Sequence, residues 1–168
     1  MKKATLLKST FLIFIYFLFS IQPLLLLSDT PRIEYITDGI VKLGINKQWG
    51  GGIGYFSRVG ADQLNVINHM DRGRNIQQSF YGSENGIFIG DVEWRFNPVQ
   101  GGDANGNFSR LMRKINYGNA IYVKTKPLDW AKNNVETPCV MEQWIMLREG
   151  VAQIVYSFTY NGTQNHQE

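Results

Sequence analysis

The sequence predicts an all-β domain, an antiparallel β-sandwich, behind an N-terminal export signal. Three observations carry that expectation. Past the apolar leader, hydrophobic residues recur at every second position in several short runs, the period of a half-buried strand. No stretch of that region carries a long 3.6-residue apolar repeat. The glycines gather where the runs stop, as at Gly50-Gly51-Gly52 and Gly101-Gly102, which is how turns punctuate strands.

The elements follow in order. Lys2, Lys3 and Lys8 place positive charge ahead of an apolar run over 11–27, a basic region followed by a secretory hydrophobic region. Residues 1–28 are read as a signal peptide. An uncleaved signal anchor is the alternative, because about 20 apolar residues suffice to span a bilayer. Pro23 would kink such a span, and Ser28-Asp29-Thr30-Pro31 ends it. Residues 29–168 are expected to form one sandwich domain on the export side, secreted or, with an uncleaved leader, anchored to the membrane.

Within 39–45, Val41, Leu43 and Ile45 share one face and Lys42 and Gly44 the other. Residues 53–58 and 63–68 read as two strands joined by the hairpin loop Val59-Gly60-Ala61-Asp62. Strands are next expected over 92–96 and 120–126, the second stopped by Pro127, which cannot donate to a ladder. Between them, 108–115 is the only stretch where a short helix, or a turn of one, would be unsurprising. The closing hairpin joins 141–147 to 151–160 through Arg148-Glu149-Gly150, and its last strand puts Ala152, Ile154, Tyr156, Phe158 and Tyr160 on one face. No return strand follows to cover that edge, so the sandwich is expected to be incomplete and the domain truncated at its C-terminal side.

Composition narrows the partners. The chain holds 17 basic and 14 acidic residues. Three of the lysines lie in the leader, so the remainder is balanced at 14 against 14. The pI of about 9.0 therefore gives no support to a nucleic-acid partner. Cys139, the single cysteine, has no partner for an intrachain disulfide and is expected to be a buried apolar residue. Two sequons, Asn107-Phe108-Ser109 and Asn161-Gly162-Thr163, are candidate N-glycosylation sites in a eukaryotic host. No cofactor is expected, and no metal site, since His69 followed by Asp71 lacks a third ligand at metal spacing.

Polar residues concentrate in two clusters. In 68–82, Arg72 and Arg74 stand with Gln77 and Tyr81, a mixture that suits a sugar or a uronate. Guanidinium forks bind carboxylates and vicinal hydroxyls, amides donate and accept, and an aromatic face covers the apolar side of a pyranose. The competing reading is an ion pair of Asp71 with Arg72 or Arg74 that staples a loop. The second cluster, Trp94, Asn97, Gln100 and Asp103, leaves a strand for a Gly-rich loop and is a candidate second wall. Its alternative is a turn in which Asn97 and Asp103 bond their own backbone. Glu142, on an otherwise apolar strand face with Trp144 and Met146, and His69 are weak catalytic candidates.

The order of these elements resembles the N-terminal half of a galactose-mutarotase-like β-supersandwich. The residues that carry it are Trp49-Gly50-Gly51-Gly52-Ile53, then Asp71-Arg72-Gly73-Arg74, then Glu142-Gln143-Trp144 with the closing hairpin. The resemblance covers most of 33–168. It implies that Arg72 or Arg74 holds a sugar, that a histidine serves as acid with His69 standing ahead of the arginines, and that a catalytic Glu would lie beyond Glu168.

The expected function is carbohydrate binding or processing by an exported domain, with a neutral or uronate-containing carbohydrate as partner. Two alternatives stand beside it. One is the N-terminal fragment of a saccharide-active enzyme (epimerase, lyase or glycoside hydrolase). The other is a structural or interaction domain with no small-molecule site.

Overall fold

A computed structural model describes residues 32–68, 75–89 and 91–166, all within the unit that begins at Pro31. The expected leader, residues 1–28, lies outside them. No helix occurs among the described residues, and every strand pairing is antiparallel.

Three strands build the first sheet in sequential order: β1 (Ile33–Thr37), β2 (Val41–Asn46) and β3 (Gly52–Arg58). Four build the second, ordered β11-β10-β8-β7: β7 (Arg110–Asn116), β8 (Ala120–Lys126), β10 (Cys139–Arg148) and β11 (Val151–Tyr160). Smaller pairs join β4 (Glu84–Ile89) to β5 (Val92–Arg95) and β6 (Pro98–Val99) to β9 (Leu128–Asp129). The expected all-β sandwich class is what the chain adopts.

The alternating residues meet in one core. Val41, Leu43, Ile45 and Ile53 from the first sheet pack with Ile121, Val123, Ile145 and Leu147 from the second. Burial of each such side chain contributes about 1.5–3 kcal/mol. Cys139 is a free thiol with no exposed surface in this interior, and desolvation raises its pKa.

Two turns explain the closure. In the β10–β11 hairpin Arg148 faces Val151, which leaves Glu149 and Gly150 as a two-residue loop with φ of 54° and 79°. That pair of positive φ values matches the twist of the flanking strands. The Gly150 N–H donates to Asp38 Oδ2 at 2.7 Å and so ties this turn to the β1–β2 turn.

The Gly-rich bend after β2 fits against the second sheet. A Cβ at Gly50 would lie 2.0 Å from the Gln100 carbonyl oxygen, and one at Gly51 would lie 2.4 Å from Val123 Cγ1. With no side chains in the way, the Gly50 carbonyl accepts from Gln100 Nε2 (3.1 Å) and Thr125 Oγ1 (2.5 Å), and the Gly51 carbonyl accepts from Gln143 Nε2 (2.5 Å). The three donors are among the most buried polar residues of the chain. They satisfy backbone groups that burial would otherwise leave unpaired.

Two expectations are corrected. Residues 63–68 are irregular, because the Asn65 side chain occupies the edge of β3: its Oδ1 accepts from the Phe56 and Ile67 N–H groups, and its Nδ2 donates to the Gly54 carbonyl. A side chain there replaces most of a strand ladder, and Leu64 and Val66 are exposed. The stretch 108–115, the only one open to a short helix or a turn of one, instead supplies most of β7 (Arg110–Asn116). A bulge between Leu111 and Arg113 shifts the alternation by one residue and hides the strand period.

Candidate functional site

The first sheet turns Ile45 and Ile53 to the core, so their neighbours Asn46 and Gly52, which pair across β2 and β3, face the other way. Ile53 also bridges antiparallel to Ile76. That bridge brings Asn75 beside Gly54 and Gln77 beside Gly52. A Cβ at Gly54 would lie 3.8 Å from Asn75 Oδ1 and 3.9 Å from Asn46 Cβ, and one at Gly52 would lie 3.6 Å from Gln77 Cβ. Glycines inside a strand leave a floor on which another group can approach the backbone.

Over this floor lies a cleft of about 400 Å³, lined by Ile33, Asn46, Trp49, Gly54, Tyr55, Asp62, Gln63 and Asn65. That volume is in the range of ligand pockets, and apolar rings with a few placed polar groups are their usual lining. Tyr55 packs edge-on against Tyr35 with ring centroids 5.1 Å apart, and the Lys42 ammonium sits 4.5 Å from the Tyr35 centroid. Asp62 Oδ1 accepts from the Tyr55 hydroxyl (2.8 Å) and from Lys42 Nζ (3.1 Å). Those two donors hold its carboxyl below the usual carboxylate range, and the Asp62 hydrogen bond raises Lys42 in turn. Asn46 Oδ1 caps the following turn by accepting from the Gln48 and Trp49 N–H groups.

Asn75 stands out at this floor. It is 7% exposed, and neither its Oδ1 nor its Nδ2 has a hydrogen-bond partner. Each buried polar group left unpaired costs about 1–3 kcal/mol.

The residues singled out from the sequence are distributed differently from the single cleft expected of them. His69, Arg72 and Arg74 lie outside the described residues. Gln77 is wedged between Gly52 and Gly101, where a Gly101 Cβ would come within 2.4 Å of its Oε1. Tyr81 and Trp94 do come together, lining a cleft of about 370 Å³ with Val92, Glu93 and Arg95, and the Trp94 indole nitrogen is buried there without a partner.

Asn97, Gln100 and Asp103 are at most 3% exposed and serve the frame. The Asn97 N–H donates to Asp129 Oδ1 and its own Oδ1 accepts from Ser79; Gln100 Oε1 accepts from the Gln78 N–H. Asp103 takes four hydrogen bonds from residues 105, 107 and 134. Burial there raises the Asp103 pKa, and the bonds outweigh it and bring it below the usual range. The turn reading holds for Asp103, whose Oδ1 accepts from the Asn105 and Asn107 N–H groups of its own loop, and is corrected for Asn97, whose Oδ1 accepts from the Ser79 hydroxyl on a distant segment.

Glu142 points away from the core on the second sheet. It accepts a short hydrogen bond from the Tyr122 hydroxyl and lies 3.6 Å from Lys124. Desolvation, then Glu142, push the Tyr122 pKa up to about 12. Among the described residues no three His, Cys, Asp or Glu side chains are grouped to hold a metal.

No family model, curated protein or solved structure matches the chain.

Sequence reasoning passed over Asn46, Trp49, Tyr55 and Asn75. The signal that marks them is the alternate pair Gly52 and Gly54 inside a strand, which clears one face for a ligand or another chain segment.

Proposed function

We propose that this domain binds carbohydrate, and that the glycine-floored cleft of the first sheet is where it does so. The observation that carries the reading is the buried, unpartnered Asn75 amide, which is not in the cleft's own lining but abuts Gly54, which is. An amide offers a donor and an acceptor close together, the pattern that adjacent sugar hydroxyls complement. Trp49 and Tyr55 supply ring surface for the apolar side of a pyranose, while Gln63 and the Asp62 carboxylate supply polar contacts at the mouth. Arg74 and Arg72, outside the described residues, stay the candidate contacts for a uronate carboxylate. The ligand class is the one implied by the resemblance to galactose-mutarotase-like domains. Binding requires no proton-transfer pair, and Glu142 is already engaged by Tyr122 and Lys124.

The test is Asn75→Leu in the exported domain, screened against neutral and uronate glycans and then measured by calorimetry. Leucine removes both unpartnered polar atoms at nearly constant shape, so thermal stability is expected to hold or rise. Glycan affinity is expected to fall about 10- to 100-fold, the equivalent of one or two lost hydrogen bonds. Unchanged glycan affinity in the variant, or no glycan bound by the folded wild-type protein, overturns the proposal.

A further inference from the structure

A second cleft, sharing no residue with the first, opens at the far end of β11. It holds about 420 Å³ between the turn after β9 and the segment that follows Tyr160. The Asn161 N–H donates to the Pro138 carbonyl at 2.8 Å and leads the chain along the cleft. The segment is seated by His166, whose ring lies flat on Phe96 with centroids 3.8 Å apart and planes 11° from parallel. Tyr160 meets the same imidazole edge-on at 5.5 Å. Gly82 makes room for the stack, since a Cβ there would lie 3.0 Å from His166 Cβ.

The two nitrogens of this ring are inequivalent. Nδ1 is buried and has no hydrogen-bond partner. A buried N–H without an acceptor is less tolerated than an unused acceptor lone pair. The neutral ring therefore carries its proton on Nε2, leaving the lone pair on Nδ1. His166 lines the cleft and is only half-buried, so the Nε2 edge is the one open to it.

The charges lining the cleft are already paired. Asp129 Oδ2 lies 3.5 Å from Lys132 Nζ, and Glu136 is held by both arms of Arg110 at 2.8 and 3.1 Å. What is left facing the space is one imidazole N–H, part of the Tyr160 ring, the apolar Val135, the Thr163 hydroxyl and the neutral side chains of Asn161 and Gln164. Paired ions select no charged ligand, whereas a neutral donor set beside a ring suits a hydroxyl-rich one.

We infer that this cleft is a second saccharide subsite, taking a neutral sugar ring whose oxygen accepts a hydrogen bond from His166 Nε2–H. The ligand class rests on the carbohydrate reading above; the site does not. The experiment uses the full chain with ¹⁵N-labelled histidine, and His166→Phe both assigns the ring signals and acts as the variant. Phenylalanine keeps the stack on Phe96 and removes the donor, so thermal stability is expected to stay at the wild-type value. In the free protein, at a pH where the ring is neutral, the His166 nitrogens are expected to report the Nε2–H tautomer. D-galactose or D-glucose is expected to shift the Nε2 signal, with D-glucuronate doing no better, and His166→Phe is expected to weaken that neutral-sugar binding about tenfold or more.

Ring signals unmoved by any of the three sugars, with glycan binding still lost in Asn75→Leu, overturn this inference and leave the first proposal standing. A response to glucuronate alone overturns the neutral-ligand assignment. Absence of sugar binding in wild type and both variants overturns both readings.

Discussion

Asp103→Asn separates a frame residue from a ligand contact. Asp103 Oδ1 accepts from the Asn105 and Asn107 N–H groups, both at 2.9 Å, and Oδ2 accepts from Asn107 Nδ2 at 2.8 Å and the Asn134 N–H at 2.7 Å. Asparagine keeps one acceptor oxygen and turns an NH₂ toward two of those donors. With its oxygen kept on the two loop N–H groups, the Asn107 amide can reverse to accept from the new NH₂, but only by giving up its Nδ2 bond to Asn133 Oδ1. The Asn134 N–H, on a residue fixed at φ of 56°, has no such recourse. One backbone donor left unpaired costs about 1–3 kcal/mol, and the surviving bonds lose their charge assistance. The sum is about 3 kcal/mol.

Urea denaturation followed by tryptophan fluorescence reads this as a midpoint lowered by about 1.5 M, for a slope of about 2 kcal/mol/M. The acid limb gives a second readout. The folded-state pKa of Asp103 is lowered, so the unfolded chain binds the proton more tightly. Its stabilisation is complete above the unfolded value of about 3.9 and is lost as pH falls through the lower folded value. Wild type is therefore expected to lose stability below about pH 4 more steeply than the variant. A midpoint shift under about 0.3 M, or loss of glycan binding at unchanged stability, refutes the assignment of Asp103 to the frame.

Gly51→Ala is expected to destabilise by about 2–4 kcal/mol in thermal denaturation, because φ of 77° and a Cβ 2.4 Å from Val123 Cγ1 combine backbone strain with overpacking. Spectrophotometric titration of phenolate is expected to find Tyr122, identified by difference from Tyr122→Phe, ionising near about 12, and Glu142→Gln is expected to bring it back toward 10. A raised tyrosine pKa stabilises the fold fully below the unfolded value and loses that contribution as pH rises toward 12, so the alkaline limb of Glu142→Gln should be flatter. Of the two sequons, Asn161 is expected to be the one glycosylated on secretion from a eukaryotic host, as read by peptide mass spectrometry, and because Asn161 lines the second cleft that glycan is expected to block sugar binding there. The Asn161 side chain is exposed, whereas Asn107 Nδ2 already donates to Asp103 and Asn133 and the Ser109 hydroxyl is buried between Val99 and Leu128.

The strands legible in the sequence are those whose alternation is unbroken. β2, β8 and β11 keep a period-two hydrophobic pattern along the sequence, although burial follows it throughout only in β8, and the Glu149-Gly150 turn is written in a glycine. β7 was hidden by one bulged residue, and 63–68 was misread because a single asparagine side chain satisfies the β3 edge where a strand was expected. The site was harder still. Amides, arginines and aromatics named a chemistry, and whether Asn97, Gln100 and Asp103 offer it to a ligand or spend it on the chain depends on which backbone donors come near them.

By itself, then, the sequence determined the all-β class, the core face of β2 and the burial of its lone cysteine, because hydrophobic period and turn chemistry are local properties of the chain. Only the tertiary structure decided which polar groups are left over. The Ile53–Ile76 bridge brings Asn75 to a glycine floor, and the stack on Phe96 buries one nitrogen of His166. Hydrogen-bond satisfaction is a sum over neighbours distant in sequence, and no local pattern contains it.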